Sequence, residues 1–203
     1  MVDVKNRYLM PGMIDMHTYL NSGGLMPPDE SIRPMALQQF ARYGVSTIFT
    51  LGGHGFNEKV TAELKETQRK HEIVAPVILA TGSILTASGG YLIPFVSGMT
   101  GLSKDEIDLD GQGIFSITDE TDLDALFSKK KELALNGLKV MVESGLAGAS
   151  EETRLSDKLT GKIVKKASYY KLRVFTHVTR IADLQDAVNE GLAVIFHTRK
   201  ISY

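Results

Sequence analysis

The chain has 203 residues, 43% of them hydrophobic and 23% charged, a globular composition long enough for one good core. Its 23 basic and 24 acidic residues nearly cancel and neither sign forms a long block, which argues against nucleic acid as a partner. No apolar run reaches bilayer-spanning length, and "MVDVKNRYLMPG" lacks the apolar stretch of a secretory signal, so no membrane partner is expected. The absence of cysteine excludes disulfides, thiolate nucleophiles and zinc–thiolate sites, and with it the chain is read as cytoplasmic. Any metal must be held by the five histidines, by carboxylates or by a modified lysine.

In chain order, "RYLMPGMIDMH" reads as a short strand from Met13 to Asp15 or Met16, since Pro11 argues against a central strand before it. A helix begins near Arg33, with Pro34 at a first-turn position, and Gly44 stops it ahead of the β-branched strand "VSTIFT". "NEKVTAELKETQRKH" is a polar surface helix capped by Asn57, and "IVAPVILA" is a buried strand with an irregularity at Pro76. Residues 81–117 hold many glycines and serines without periodicity and read as a long, glycine-rich loop insertion. A helix follows from about Asp119, ended by Gly137, then the strand "LKVMV". "LSDKLTGKIVKKASYY" is a helix, "KLRVFTH" a strand, "RIADLQDAVNE" a helix and "LAVIFH" a last strand.

Three stretches, "YGVSTIF", "NGLKVMV" and "EGLAVIF", share one device: a glycine in the left-handed end of a helix, followed at once by an apolar strand. Alternating strands and helices with continuous apolar strands predict a parallel sheet covered by helices. Local pattern leaves two arrangements open, a closed barrel and an open doubly wound sheet.

Chemistry in such folds collects at the C-terminal ends of strands. Asp15 and His17 end the first strand, His54 follows the second, Thr81 the third and Glu143 the fourth; His177 and His197 end the fifth and sixth. In a barrel, His17, His177 and His197 face one another across its mouth, a set of imidazoles suited to Zn²⁺. Lys139 lies inside an apolar strand, so it either reaches the end of the sheet or has its amine modified. His54, Glu143 and Arg180 are expected on solvated surface.

With these residues in place, the whole chain resembles part of the amidohydrolase superfamily, in its imidazolonepropionase- and prolidase-like branch. "LMPGMIDMHTYL" is similar to that family's strand-one signature, Pro-Gly, apolar, Ile-Asp, one residue, then His-x-His. "LNGLKVMVESG" resembles its strand-four segment, "TGSILTASGGY" the glycine-rich stretch after strand three, and "RVFTHVTRIADLQDAVNEGLAVIFHT" the strand-five and strand-six block. The resemblance implies an α/β fold, a partial TIM-like (β/α) barrel with about six of eight strands, filling 1–203 as one incomplete domain. It implies a divalent metal, zinc, as one ion or two, with ligands at His17, Lys139 (carboxylated), His177 and His197. It implies hydrolysis of a non-peptide C–N or dipeptide amide bond through metal-activated water, on a small amide, cyclic amide or dipeptide substrate.

Three departures accompany the resemblance. The second histidine of His-x-His is Tyr19, a neutral phenol that weakens the position His17 helps to build. The chain ends just after the sixth strand, so no residue matches the strand-eight aspartate, and only "VDVKNRY" matches the leading sandwich segment. A chain trimmed at both ends is expected to expose two apolar sheet edges, which a second copy would cover in a homo-oligomer. Beside the hydrolase stands a second reading, a catalytically inactive remnant or binding module of the same fold. A dinucleotide- or phosphate-binding domain is disfavoured, because no G-x-G-x-x-G joins a strand to a helix, although "LGGHG" has the composition of an anion nest.

Overall fold

The computed structural model describes Lys5 and residues 7–20, 32–53, 55–108, 113–145, 153–192 and 194–196. Strand β1 (Met13–Thr18) pairs in parallel with β2 (Val45–Thr50), and β2 with β3 (Val77–Ala80). Helix α1 (Ile32–Arg42) makes the first crossover, and α2 (Glu58–Arg69) the second. The cap of α2 is the expected one: Asn57 Oδ1 accepts from Val60 N–H at 2.9 Å. Strand β3 starts directly after Pro76, where a missing backbone donor does no harm.

The second group of strands is ordered β5 (Ile114–Ile117), β4 (Ile84–Ala87), β6 (Gly137–Met141), β7 (Arg173–His177) and β8 (Val194–Phe196), all parallel. Helices α5 (Leu123–Glu132), α6 (Asp157–Tyr169) and α7 (Ile181–Asn189) form its crossovers. The six expected strands are β1, β2, β3, β6, β7 and β8. Two expectations are corrected. The described residues of 81–117 are no loop: they carry β4, α3 (Leu92–Thr100), α4 (Lys104–Ile107) and β5, held by a core of Ile84, Ile93, Val96, Ile107 and Ile114. These elements are too short and too evenly apolar to show a period, although Ser103 and Glu106 form a capping box that a sequence can reveal. Gly44 and Gly191 take the left-handed conformation, but Gly137 does not; Ala134 (φ 52°) makes that turn. Gly137 instead lies where a Cβ would come within 2.7 Å of the Arg173 carbonyl.

Only Thr81, Gly82 and Ser83 separate β3 from β4, and a buried ion pair holds this break. Lys130 Nζ donates to Glu58 Oε1 at 2.6 Å and to the Thr81 carbonyl at 2.9 Å. Glu58 also accepts from the Ser83 backbone N–H (3.1 Å) and hydroxyl (2.6 Å). Below the break, Ala80 and Asn136 exchange two hydrogen bonds, one N–H to carbonyl at 2.8 Å and one N–H to side-chain oxygen at 3.1 Å. These bonds tie the three-stranded sheet β1-β2-β3 to the five-stranded sheet at the start of β6.

The combined surface of the two sheets is curved. Leu138, Val140 and Val174 face outward onto Phe127 of α5, Leu159 and Ile163 of α6 and Ala187 of α7. On the concave side the rings of Phe49 in β2 and Phe175 in β7 have centroids 4.6 Å apart, with Leu51, Leu79 and Tyr19 packed around them. In a flat sheet, β2 and β7 would stand three strand spacings apart, about 14 Å. Ring contact between them requires the sheet to curl, which decides for the partial barrel over the doubly wound arrangement. Among the described residues no helix is long and apolar enough to cross a membrane.

Candidate functional site

Alternation in β6 sends Leu138 and Val140 to the helices and Lys139 and Met141 to the concave face. Lys139 is 1% exposed, and burial lowers its amine from 10.5 to about 7. In the register of β6 with β7, Lys139 lies opposite Phe175 and Met141 opposite His177. Lys139 and His177 thus share one face of neighbouring strands. Against the His177 ring lies the Tyr91 ring, centroids 5.5 Å apart and planes within 15°.

The same alternation carries past the end of β6 to Glu143, expected from sequence to be solvated. It is 1% exposed. Val142 packs with the helices, so Glu143 turns to the Lys139 side. Its Oε2 accepts from the backbone N–H of Thr179 and, at 2.9 Å, from the Thr179 hydroxyl, and lies 4.0 Å from His177 Nε2. Its Oε1 is buried and has no hydrogen-bond donor among the described residues. Burial pushes the carboxyl above its ordinary range, and neighbouring Asp183 adds to this; the Thr179 hydrogen bonds and Arg180 pull it down but do not outweigh burial.

Around this carboxylate the loops after β6 and β7 are knit together. Asp183, 4% exposed in the first turn of α7, accepts from the Ser144 N–H (3.0 Å) and hydroxyl (2.7 Å). Arg180 Nη1 donates to Ser144 Oγ at 2.9 Å, so this side chain is committed to the loop rather than solvated as expected. Arg154 joins the network through Asp186 at 2.7 Å and Asp183 at 3.6 Å.

The strand-one residues approach from the other side of the mouth. The Tyr19 hydroxyl and His17 Nε2 are 3.0 Å apart, and Asp15 Oδ1 accepts from the His17 backbone N–H at 3.0 Å. Asp15 therefore braces the backbone at His17. Tyr19 is pushed up to about 12, first by burial and then by the neighbouring Tyr91 phenol, so it is a neutral O–H at any physiological pH. Tyr19 thus meets His17 while Tyr91 stacks on His177, and the two phenols are near enough to influence one another electrostatically.

Of the four expected metal ligands, the structure brings Lys139 and His177 onto one face and engages His17 with Tyr19; His197 lies outside the described residues, as does His54. Among the described residues no group of three or more His, Asp or Glu is placed to hold a metal. The side chains missed from sequence are Glu143 and Tyr91. Glu143 was legible as the continuation of the Lys139, Met141 alternation; Tyr91 was not, because its place depends on how 84–117 folds.

The fold is similar to that of several solved structures. One is a Xaa-Pro dipeptidase with methionine bound in its active site, at 20% identity over 91% of this chain and 47% of that one, TM-score 0.66. A prolidase complexed with N-methylphosphonate-L-proline matches at 18% identity over 96% and 49%, TM-score 0.72. The A. niger ochratoxinase matches at 18% identity over 92% and 46%, TM-score 0.71. A structure described as an amidohydrolase also shares the fold, at 17% identity and TM-score 0.68. These likenesses are likenesses of fold: the chain has the parallel α/β architecture that these structures share. It spans about half the length of the structures it matches. No family model and no curated protein matches the sequence.

The residues fit a divalent ion unequally. The Lys139–His177 face fits better, since a buried amine with a lowered proton affinity and an imidazole share the inward face of neighbouring strands. The His17 side fits poorly, because the ring nitrogen that would bind an ion is 3.0 Å from a phenol that stays protonated.

Proposed function

We propose that this chain is the core of a metal-dependent hydrolase of the amidohydrolase type, cleaving the C–N bond of a small amide, cyclic amide or dipeptide. The observation that carries the reading is the placement of Lys139, buried on the concave face, on the same face of the neighbouring strand as His177, which lies one inward position nearer the mouth. Names of the structurally similar proteins, among them a Xaa-Pro dipeptidase, a prolidase and a phenylurea hydrolase, support the bond type.

One Zn²⁺ would be held by Lys139, His177 and His197, with His17 contributing weakly while Tyr19 occupies its Nε2. A bound ion would lower the pKa of a water and polarise the scissile carbonyl. The chain's own groups prepare that chemistry. Lys139, with an amine at about 7, is substantially unprotonated near neutrality, the state that reacts with CO₂. Its lone pair forms an N–C bond, one C=O electron pair moves to oxygen, and the nitrogen releases a proton, leaving an anionic carbamate. Tyr91 fixes the plane of His177 by stacking, and the Tyr19 hydroxyl offers a neutral donor at the rim. The absence of cysteine agrees with the cytoplasmic setting proposed for the chain.

The test is zinc content of protein purified without chelator, beside His177→Ala. Near-stoichiometric zinc in the parent, lost in the variant, together with hydrolysis of Xaa-Pro dipeptides or cyclic amides, is the expected result; no metal in either overturns it. One observation favours the second reading, a non-catalytic binding module: the Tyr19–His17 contact removes an imidazole from the metal side. A parent that holds zinc yet hydrolyses none of these substrates would favour it.

A further inference from the structure

Among the buried carboxylates of the described residues, Glu58 and Glu143 are satisfied very differently. Glu58 has donors on both oxygens: Lys130 and the Ser83 N–H on Oε1, the Ser83 hydroxyl on Oε2. Glu143 has two donors on Oε2, both from Thr179, and none on Oε1 among the described residues, although that atom is shut off from solvent. A buried carboxylate oxygen with nothing donating to it is costly, and such an atom persists where something that binds there is supplied from outside. The position is a rigid one. Thr179 clamps the carboxylate from the β7–α7 turn, and Asp183 and Arg180 pin Ser144, the next residue along.

The partner that fits is a cation. Facing the Glu143 carboxylate is His177 Nε2, 4.0 Å from Oε2. That is too long for a hydrogen bond. It is close to the separation of two ligands on one tetrahedral ion, about 3.3 Å for ligand bonds of about 2.0–2.1 Å. Less than about 1 Å of side-chain movement would bring both groups onto one ion. An imidazole with a carboxylate suits Zn²⁺, and a carboxylate supplies the anionic ligand that Tyr19, held neutral, does not.

We propose that Glu143 is a direct ligand, with His177, of a divalent cation at the mouth of the sheet. The inference rests on the metal-dependent reading above and deepens it by adding a ligand from outside the strand-one signature. In this arrangement the ion sits beyond the end of β6, and the carboxylate partly replaces the ligand capacity lost at Tyr19.

The test is Zn²⁺ affinity, measured by competition with a chromophoric chelator, for the full chain and for Glu143→Gln and His177→Ala. Glutamine keeps the shape and can still accept from Thr179 while removing the charge, and circular dichroism of the metal-free proteins checks that folding is retained. Ligation predicts at least a tenfold loss of affinity in E143Q and a larger loss in H177A. Parent affinity in E143Q together with loss in H177A overturns the role of Glu143 and leaves the hydrolase reading standing. No zinc uptake by the parent overturns both. Should E143Q not fold, anomalous scattering from a zinc-loaded crystal of the parent decides: an ion within about 2.5 Å of Glu143 supports ligation, and an ion on His177 but away from Glu143 overturns it.

Discussion

The Tyr19 hydroxyl lies 3.0 Å from Nε2 of His17, two residues back on the same face of the first strand. The contact turns an imidazole that could hold an ion into half of a hydrogen-bonded pair with a phenol. Tyr19→His should reverse this, placing two imidazoles on one face at i and i+2. We expect zinc bound per chain to rise above the parent's, measured by atomic absorption after dialysis against a fixed free-zinc level. Tyr19→Phe, which frees His17 without adding a ligand, should give a smaller gain. An unchanged stoichiometry in Y19H would show that strand one does not reach the ion.

Lys139 couples stability to pH. Its amine gives up its proton at about 7 in the fold and at 10.5 when unfolded, so between these values the unfolded chain binds more protons and stability rises with pH. Below about 7 both states are charged and the full cost of burying the charge is present. Lys139→Met should therefore stabilise metal-free protein at pH 6 by at least about 1 kcal/mol, since a tenfold change in proton affinity corresponds to about 1.4 kcal/mol. The gain should shrink towards pH 10. Urea melts of parent and variant across this range measure it, and a gap that widens with pH would refute the assignment.

The ion pair of Lys130 with Glu58 should behave as a buried pair does when one partner is removed. Lys130→Met strands the Glu58 carboxylate and is expected to cost about 3–5 kcal/mol in urea unfolding. The double variant Glu58→Leu/Lys130→Met should recover much of that loss. Burial by itself raises Glu58, but the Lys130 charge and hydrogen bonds from Lys130 and Ser83 outweigh it and hold the carboxyl below its ordinary value. The pair's contribution is therefore present above the ordinary carboxylate range and fades as pH falls through the lowered pKa, so K130M should lose less stability at low pH than at pH 7.

Strand β1 pairs with β2 on one side only among the described residues, and Met13, Ile14 and Met16 are 54%, 63% and 44% exposed. An apolar edge of this kind promotes pairing with another chain. Sedimentation velocity should show average mass rising with concentration, and Ile14→Lys should shift the population towards monomer. A single monomer boundary at every concentration would contradict this.

Much of the fold was readable because it is written in short-range pattern. Asn57 capped its helix, Gly44 and Gly191 turned their chains into strands, and the six expected strands fell where apolar runs stood. In 84–117 it is packing of the elements onto one another, rather than period or propensity, that makes them ordered. At the site, His17, Lys139 and His177 could be nominated from strand ends. The inward side of Glu143 follows from the same alternation, but its partner could not be read, since Thr179 arrives from the next βα unit.

The order of residues is thus enough to set the alternation of strands and helices, the outward and inward faces of each strand, and the residue types at the strand ends. Each of these follows from interactions between residues a few positions apart. Folding in three dimensions was needed to curl the sheet until Phe49 meets Phe175, to lay Tyr91 on His177, and to bring the Tyr19 hydroxyl onto His17. The first two contacts join residues from separate βα units, and the third depends on how the end of strand one meets the mouth. All rest on a curvature summed over the whole sheet, which no short window contains.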